Sequence, residues 1–215
     1  MVNGSERMKL FIDLFAGLCG ASQAFIDHDS KDWMVIAVEN NELCFDEVMK
    51  IEFCNWKLKW IKADISDKFT FMKIKRKIQA MEARFGTFDQ IIVWASPPCT
   101  EFSDAQTNRP SNPSMVLLED TIKLIEKIAP DHWYIENVKG AIRDFKPLLG
   151  SFHQKMGPFF VWGNFPRICV PRIILKKADA WSTDPLRANI RAKVPFEVSL
   201  AIKHALECQL KITSF

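Results

Sequence analysis

The chain has 215 residues, 48% of them hydrophobic and 26% charged, with a formal net charge of +3. That balance reads as an ordinary soluble globule with length for one core, and the small positive excess is only a weak lean toward polyanions. Cys19, Cys44, Cys54, Cys99, Cys169 and Cys208 show no C-x-x-C spacing, no run approaches a membrane span, and MVNGSERMKLFIDLF has too short an apolar stretch for a signal peptide. A zinc knuckle or other metal site, a disulfide scaffold and a membrane anchor are therefore not expected; a reducing, cytoplasmic setting is.

In chain order, KLFIDLF (9–15) predicts a first strand, broken by Gly17 and Gly20 and followed by a helix through Ala24 to about His28. WMVIAVE (33–39) predicts a second strand and residues 41–53 a helix; a third strand near WIKADI (60–65) precedes a basic helix over 69–86. FDQIIVWA (88–95) is a fourth strand running into a Ser-Pro-Pro-Cys turn, residues 100–114 form a loop rich in Ser, Asn, Asp and Pro, and 115–128 form a helix ending before Pro130. HWYIEN (132–137) is a fifth strand. Further on, 157–165 and 167–175 read as paired strands, 176–186 as a linker, and 194–210 as a helix with Pro195 in its first turn. Strands alternating with helices predict one α/β domain with a mostly parallel sheet covered on both faces. Three basic groups stand out: Lys57, Lys59 and Lys62; Lys73, Lys75, Arg76 and Lys77; and Arg167, Arg172, Lys176 and Lys177. Such runs are more often solvated faces than phosphate contacts.

Ligands of an open parallel sheet bind beyond the carboxyl ends of its strands, so the residues after each strand carry the functional signal. Strand one ends in DLFAGLCG (13–20), whose glycines let backbone N–H groups approach a ligand or simply make a tight turn. Strand two ends in Glu39, placed for a ribose diol or for solvent; strand three is followed by Asp64, placed for an adenine amino group or as a helix cap. Strand four runs into SPPC, where two prolines stiffen the turn and aim the Cys99 sulfur. Strand five ends in Glu136-Asn137-Val138.

Taken in order, DLFAGLCG, Glu39, Asp64, SPPCTEFS (96–103) and IENV (135–138) resemble the C5-cytosine DNA methyltransferase family. RAKVPF (191–196) is similar to the family's final motif, and VWGNF (161–165) to a segment of its animal de novo branch. The resemblance implies a Rossmann-like S-adenosylmethionine-dependent fold and methyl transfer to cytosine C5 through a Cys99 adduct at C6. Glu136 would hold N3 and the exocyclic amine, and Asn137 would shape that strand end. Phe15, Gly17, Leu18, Gly20, Glu39, Asp64, Ile65, Pro97 and Val194 would line the cofactor pocket, and Ser103 would close over a flipped base. Amino-methyltransferases of DNA also end this strand in Pro-Pro, but follow it with an aromatic residue where Cys99 stands here.

Three departures qualify the resemblance. Gly157 and Phe159 occupy positions where the family carries arginines, leaving Arg109, Arg167, Arg172 or Arg191 as substitutes. Cys19 replaces a family glycine, which could crowd the cofactor, and Thr100 replaces a glutamine. Only about twenty residues separate Arg172 from Val194, where the family inserts a target-recognition domain. The expected enzyme therefore reads little sequence in duplex or single-stranded DNA, or borrows specificity from a dimer or partner chain. Two alternatives follow from the same shortage: an enzyme acting on a free cytosine nucleotide, and a partner-dependent or non-catalytic DNA-binding subunit.

Overall fold

The computed structural model describes residues 7–27, 29–50, 56–104, 108, 110–170 and 183–212. Seven strands form one sheet in the order β3-β2-β1-β4-β5-β7-β6: β1 (Lys9–Leu14), β2 (Trp33–Glu39), β3 (Leu58–Lys62), β4 (Gln90–Ala95), β5 (His132–Asn137), β6 (Gln154–Met156) and β7 (Phe159–Asn164). The first five run parallel, whereas β7 runs antiparallel to β5 and β6 antiparallel to β7. Each central strand is apolar at consecutive positions, the pattern of strands covered on both faces. Leu10, Ile12, Met34, Ile36, Val93 and Ile135 enter one core layer, and Phe11, Val35, Ile92, Trp94 and Tyr134 the other.

The first layer is covered by α3 (Thr70–Phe85), α4 (Val116–Ile128) and α5 (Ile142–Leu149), the second by α1 (Gln23–Ile26), α2 (Glu42–Met49) and α7 (Phe196–Ile212). On α7, Val198, Ile202 and Leu206 fall four residues apart and are fully buried. Each contributes about 2 kcal/mol by burial, so the last described helix holds the wall on which the site is built. A short helix α6 (Arg187–Ala192) has no buried residue.

Several expectations need correction. The proposed pairing of 157–165 with 167–175 is not formed: β7 pairs with β5 and with β6, which precedes it, while 167–170 form no strand and 171–175 lie outside the described residues. The first helix is one turn, and α5 was unread because Pro147 interrupts its pattern. Lys57 is not part of a solvated basic face: it is 1% exposed, and its Nζ donates to the carbonyls of Asp27 (2.8 Å) and Ser30 (2.6 Å). Among the described residues, no helix is long and apolar enough to cross a membrane.

Candidate active site

The carboxyl ends of β1 to β4 and the segment before α7 enclose a cavity of about 650 Å³, within the range of roughly 300–1,000 Å³ usual for cofactor pockets. Phe15, Gly17, Leu18, Gly20, Glu39, Asp64, Ile65 and Val194 line it, as does Cys99. Sequence order thus corresponds to one place in space, because parallel strands deliver every one of their carboxyl ends to the same edge.

The loop after β1 turns through left-handed backbone at Phe15, Gly17 and Cys19, with φ of 61°, 50° and 54°. A glycine would suit position 19, and a side chain there is held at a cost of about 1 kcal/mol. The Cys19 side chain does not crowd the cavity: it is fully buried in the core layer, where burial pushes its thiol far up and keeps it protonated. Gly20 is required by proximity, since a Cβ would sit 2.6 Å from the backbone N and O of Val194. This contact docks the start of α7 onto the loop.

Glu39 is the anchor of that loop. Its Oε2 accepts from the Gly17 amide and its Oε1 from the amides of Asn40 and Asn41, each at 2.9 Å. A carboxylate offers about four acceptor positions; three are used, leaving room on Oε2 for one more donor. The Asp64 Oδ1 accepts from the Ser66 amide at 2.9 Å, closing a turn before α3, whereas Asp67 accepts from the Phe69 amide next to the helix start. Asp13, the first residue of DLFAGLCG, also lines the cavity; it accepts from the Ser22 hydroxyl at 2.7 Å, and burial pushes its carboxyl up to about 7. Three carboxyl groups in one cavity suit a ligand bearing cationic and hydroxyl groups. S-adenosylmethionine, with its sulfonium, ammonium, ribose diol and adenine amine, is such a ligand, and the residues fit it.

Cys99 lies at the cavity's far end, half-buried, with its carbonyl accepting from the amides of Phe102 (3.0 Å) and Ser103 (2.9 Å). The turn is fastened from β5: Asn137 Nδ2 donates to the Pro97 carbonyl at 3.0 Å, and Asn137 Oδ1 accepts from the Val138 amide. Pro98, rather than Pro97, reaches the cavity wall, and Ser103 does not line it. Burial and the Glu136 carboxylate raise the Cys99 thiol, while its own amide and Arg191 act the other way. Glu136 is 8% exposed, and burial pushes its carboxyl up to about 7 against a hydrogen bond from the Ser96 side chain.

Of the arginines offered as substitutes for the family's two, one among the described residues lies by the cavity. Gly157 lies in the turn between β6 and β7, and Phe159 packs against the core. Arg167 is exposed, next to Ile168, whose backbone bonds Gln154 on the edge strand β6, and it does not line the cavity. Arg109 and Arg172 lie outside the described residues. Arg191 is the arginine that acts on Cys99, and its neighbours Ala188, Asn189, Ala192 and Lys193 line the cavity.

The pattern of the C-5 cytosine-specific DNA methylase family matches residues 10–156, well over half of the 215. A comparison with curated proteins finds no match. Among solved structures, a fibrillarin/Nop5p complex shares 10% identity at a TM-score of 0.45, over 72% of this chain and 71% of that one. The human methyltransferase 10 domain containing protein shares 14% at 0.44 over 75% and 72%. The plantazolicin methyltransferase BpumL, solved with SAH, shares 15% at 0.34, and the match spans 65% of this chain and 43% of that one. By its match from the first strand through β6, the chain belongs to the C-5 cytosine-specific DNA methylase family, enzymes that use S-adenosylmethionine as methyl donor.

Proposed function

We propose that the chain methylates C5 of cytosine in DNA through a covalent adduct to Cys99, with little sequence selection of its own. The observation that carries this reading is the pairing of Cys99 with Glu136: a half-buried thiol and a buried carboxyl close enough to perturb it, at the ends of adjacent parallel strands. Bound S-adenosylmethionine supplies an electrophilic methyl group. Glu39, Asp64 and the backbone around Gly17 and Gly20 would hold it, with Phe15, Leu18, Ile65 and Val194 as the apolar walls.

C5 of cytosine is too weak a nucleophile to be methylated directly. The Cys99 sulfur forms a bond to C6, which places an electron pair on C5 for bond formation with the methyl carbon. The C5 proton then leaves to a base, and its electrons reform the 5,6 double bond as sulfur departs. Both a raised thiol and a raised carboxyl serve this sequence. A protonated Glu136 donates to N3 and accepts from the exocyclic amine, so the charge that sulfur addition sends into the ring is met by a hydrogen bond. Attack and ring protonation are thereby coupled, and free thiolate need not accumulate. Asn137 holds the cysteine turn against the strand bearing Glu136. Ser103, with a cation such as Arg191, would meet the flipped base.

The segment between Arg172 and Val194 is too short for a recognition domain, which supports a single catalytic domain that binds mainly through phosphates, or draws selectivity from a partner. The test offers labelled S-adenosylmethionine with duplex DNA, single-stranded DNA, RNA and free dCMP, followed by digestion to nucleosides. Label on C5 of DNA cytosine, absent with Cys99→Ala, is expected. Label in dCMP alone would move the substrate to free nucleotides, and no label with cofactor bound would favour a partner-dependent subunit.

A further inference from the structure

We infer that Ser96 and Trp94 form a positioning relay for Glu136: the Trp94 indole donates to the Ser96 hydroxyl, which turns its own proton toward the Glu136 carboxyl. The inference rests on the proposed role of Glu136 and adds two residues to it. Trp94 and Ser96 lie two apart on β4 and its exit, so they project to the same face of the sheet. β4 and β5 run parallel with Ala95 beside Ile135, which sets Ser96 next to Glu136 across a strand spacing of about 4.8 Å. The Trp94 Nε1 donates to the Ser96 Oγ at 2.7 Å, and Ser96 is the side chain that acts against burial at Glu136.

Direction follows from what each group can do. An indole N–H donates only, whereas a hydroxyl has one proton and two acceptor positions. With one lone pair of Ser96 taken by Trp94, its O–H is free for the carboxyl, and the bond it receives polarises that O–H into a better donor. Trp94 is itself fixed: it is 1% exposed, in register with Asp13 on one side and Tyr134 on the other, its ring 5.5 Å from the Tyr134 ring. Other groups facing Glu136 are the Cys99 thiol from the turn after β4 and, from β7, its apolar register partner Val161. Ser96 is therefore the polar group built to offset burial of this acid. No proton is transferred; the relay sets how readily Glu136 keeps its own.

Two readouts test this on the whole chain. The first is titration of the Glu136 carboxyl by carbon NMR with labelled glutamate, assigned by its loss in Glu136→Gln; the second is the pH profile of kcat. With Ser96→Ala the carboxyl midpoint and the alkaline limb of kcat should both rise by about one pH unit, the size expected for one hydrogen bond to a charged group. Trp94→Phe should move both the same way by less, and Ser96→Thr, which keeps a hydroxyl, should restore both toward wild type. An unmoved midpoint in Ser96→Ala, or Ser96→Thr behaving like Ser96→Ala, overturns the relay. If no acceptor is methylated, the proposed activity fails, while the NMR titration still decides the relay.

Discussion

The ends of β2 and β5 each carry a glutamate at the same edge of one sheet, and the two are held in different ways. Glu39 is surrounded by three backbone N–H donors at 2.9 Å, from Gly17, Asn40 and Asn41. Glu136 is buried, and burial pushes its carboxyl up to about 7 with Ser96 acting the other way. Backbone donors aim a carboxyl group, whereas burial favours an acid's protonated form. One residue type thus suits the two proposed roles, ligand anchor at one strand end and proton-bearing group at the other.

The largest expected effect falls on the partner of the second glutamate. Cys99→Ala should lower DNA methylation by about 10⁴-fold or more, the scale of removing a covalent nucleophile, with cofactor affinity unchanged by calorimetry. Retained turnover would end the covalent reading.

Next comes Glu136→Gln, which separates catalysis from stability. Activity should fall by about 10²–10⁴-fold, the usual share of a positioned acid. A carboxyl raised in the fold contributes its stability below its unfolded value and loses it as pH climbs through about 7. The amide has nothing to ionise, so at pH 8 the variant should unfold about 2–3 kcal/mol later than wild type. At pH 4 the two should converge. Denaturant melts at both pH values check the sign, and an equal gain at pH 4 would mean that packing rather than ionisation is responsible.

Gly20→Ala probes the wall shared by the first loop and α7. A Cβ there meets backbone atoms of Val194 at 2.6 Å, which no side-chain rotation relieves. Overpacking of this kind costs about 1–3 kcal/mol, and the displaced wall should weaken cofactor binding by a similar margin. A variant with wild-type affinity and melting temperature would show that the loop and helix part easily.

How much of this was written in the sequence depends on what each residue answers to. β2 and β5 were legible to the residue, because polar or turn-forming neighbours bound their apolar runs. The common edge of Cys99, Glu136, Glu39 and Asp64 was legible because parallel strands turn order in the chain into adjacency. Ser96 stood in the quoted motif, yet its role depends on which strand lies beside it, and no local pattern gives that. Asp13 likewise stood in a quoted motif without a role, for the same reason. The helix α6 buries no residue and so left no apolar period to read, which is why Arg191 could not be preferred over Arg167. Lys57 misled because charge is read as exposure, whereas two carbonyls at the end of α1 take its ammonium inward.

Glu39→Gln gives the mildest effect and the sharpest contrast with Glu136→Gln. The amide oxygen can still accept from Asn40 and Asn41, but the Nε2 then faces the Gly17 N–H, donor against donor. Reversing the amide moves the clash to the other two bonds. In the first orientation the Gly17 tie is lost and the acceptor position left for a ribose hydroxyl becomes a donor; in the second the amides of Asn40 and Asn41 lose their acceptor. Loss of one charge-assisted hydrogen bond should raise the cofactor Kd about tenfold, measured by calorimetry. Stability at pH 8 should not rise as it does in Glu136→Gln, because the variant gives up amide bonds that the wild-type carboxyl makes. Equal stabilisation in both variants would mean that the two strand ends do not differ in the way their hydrogen bonds indicate.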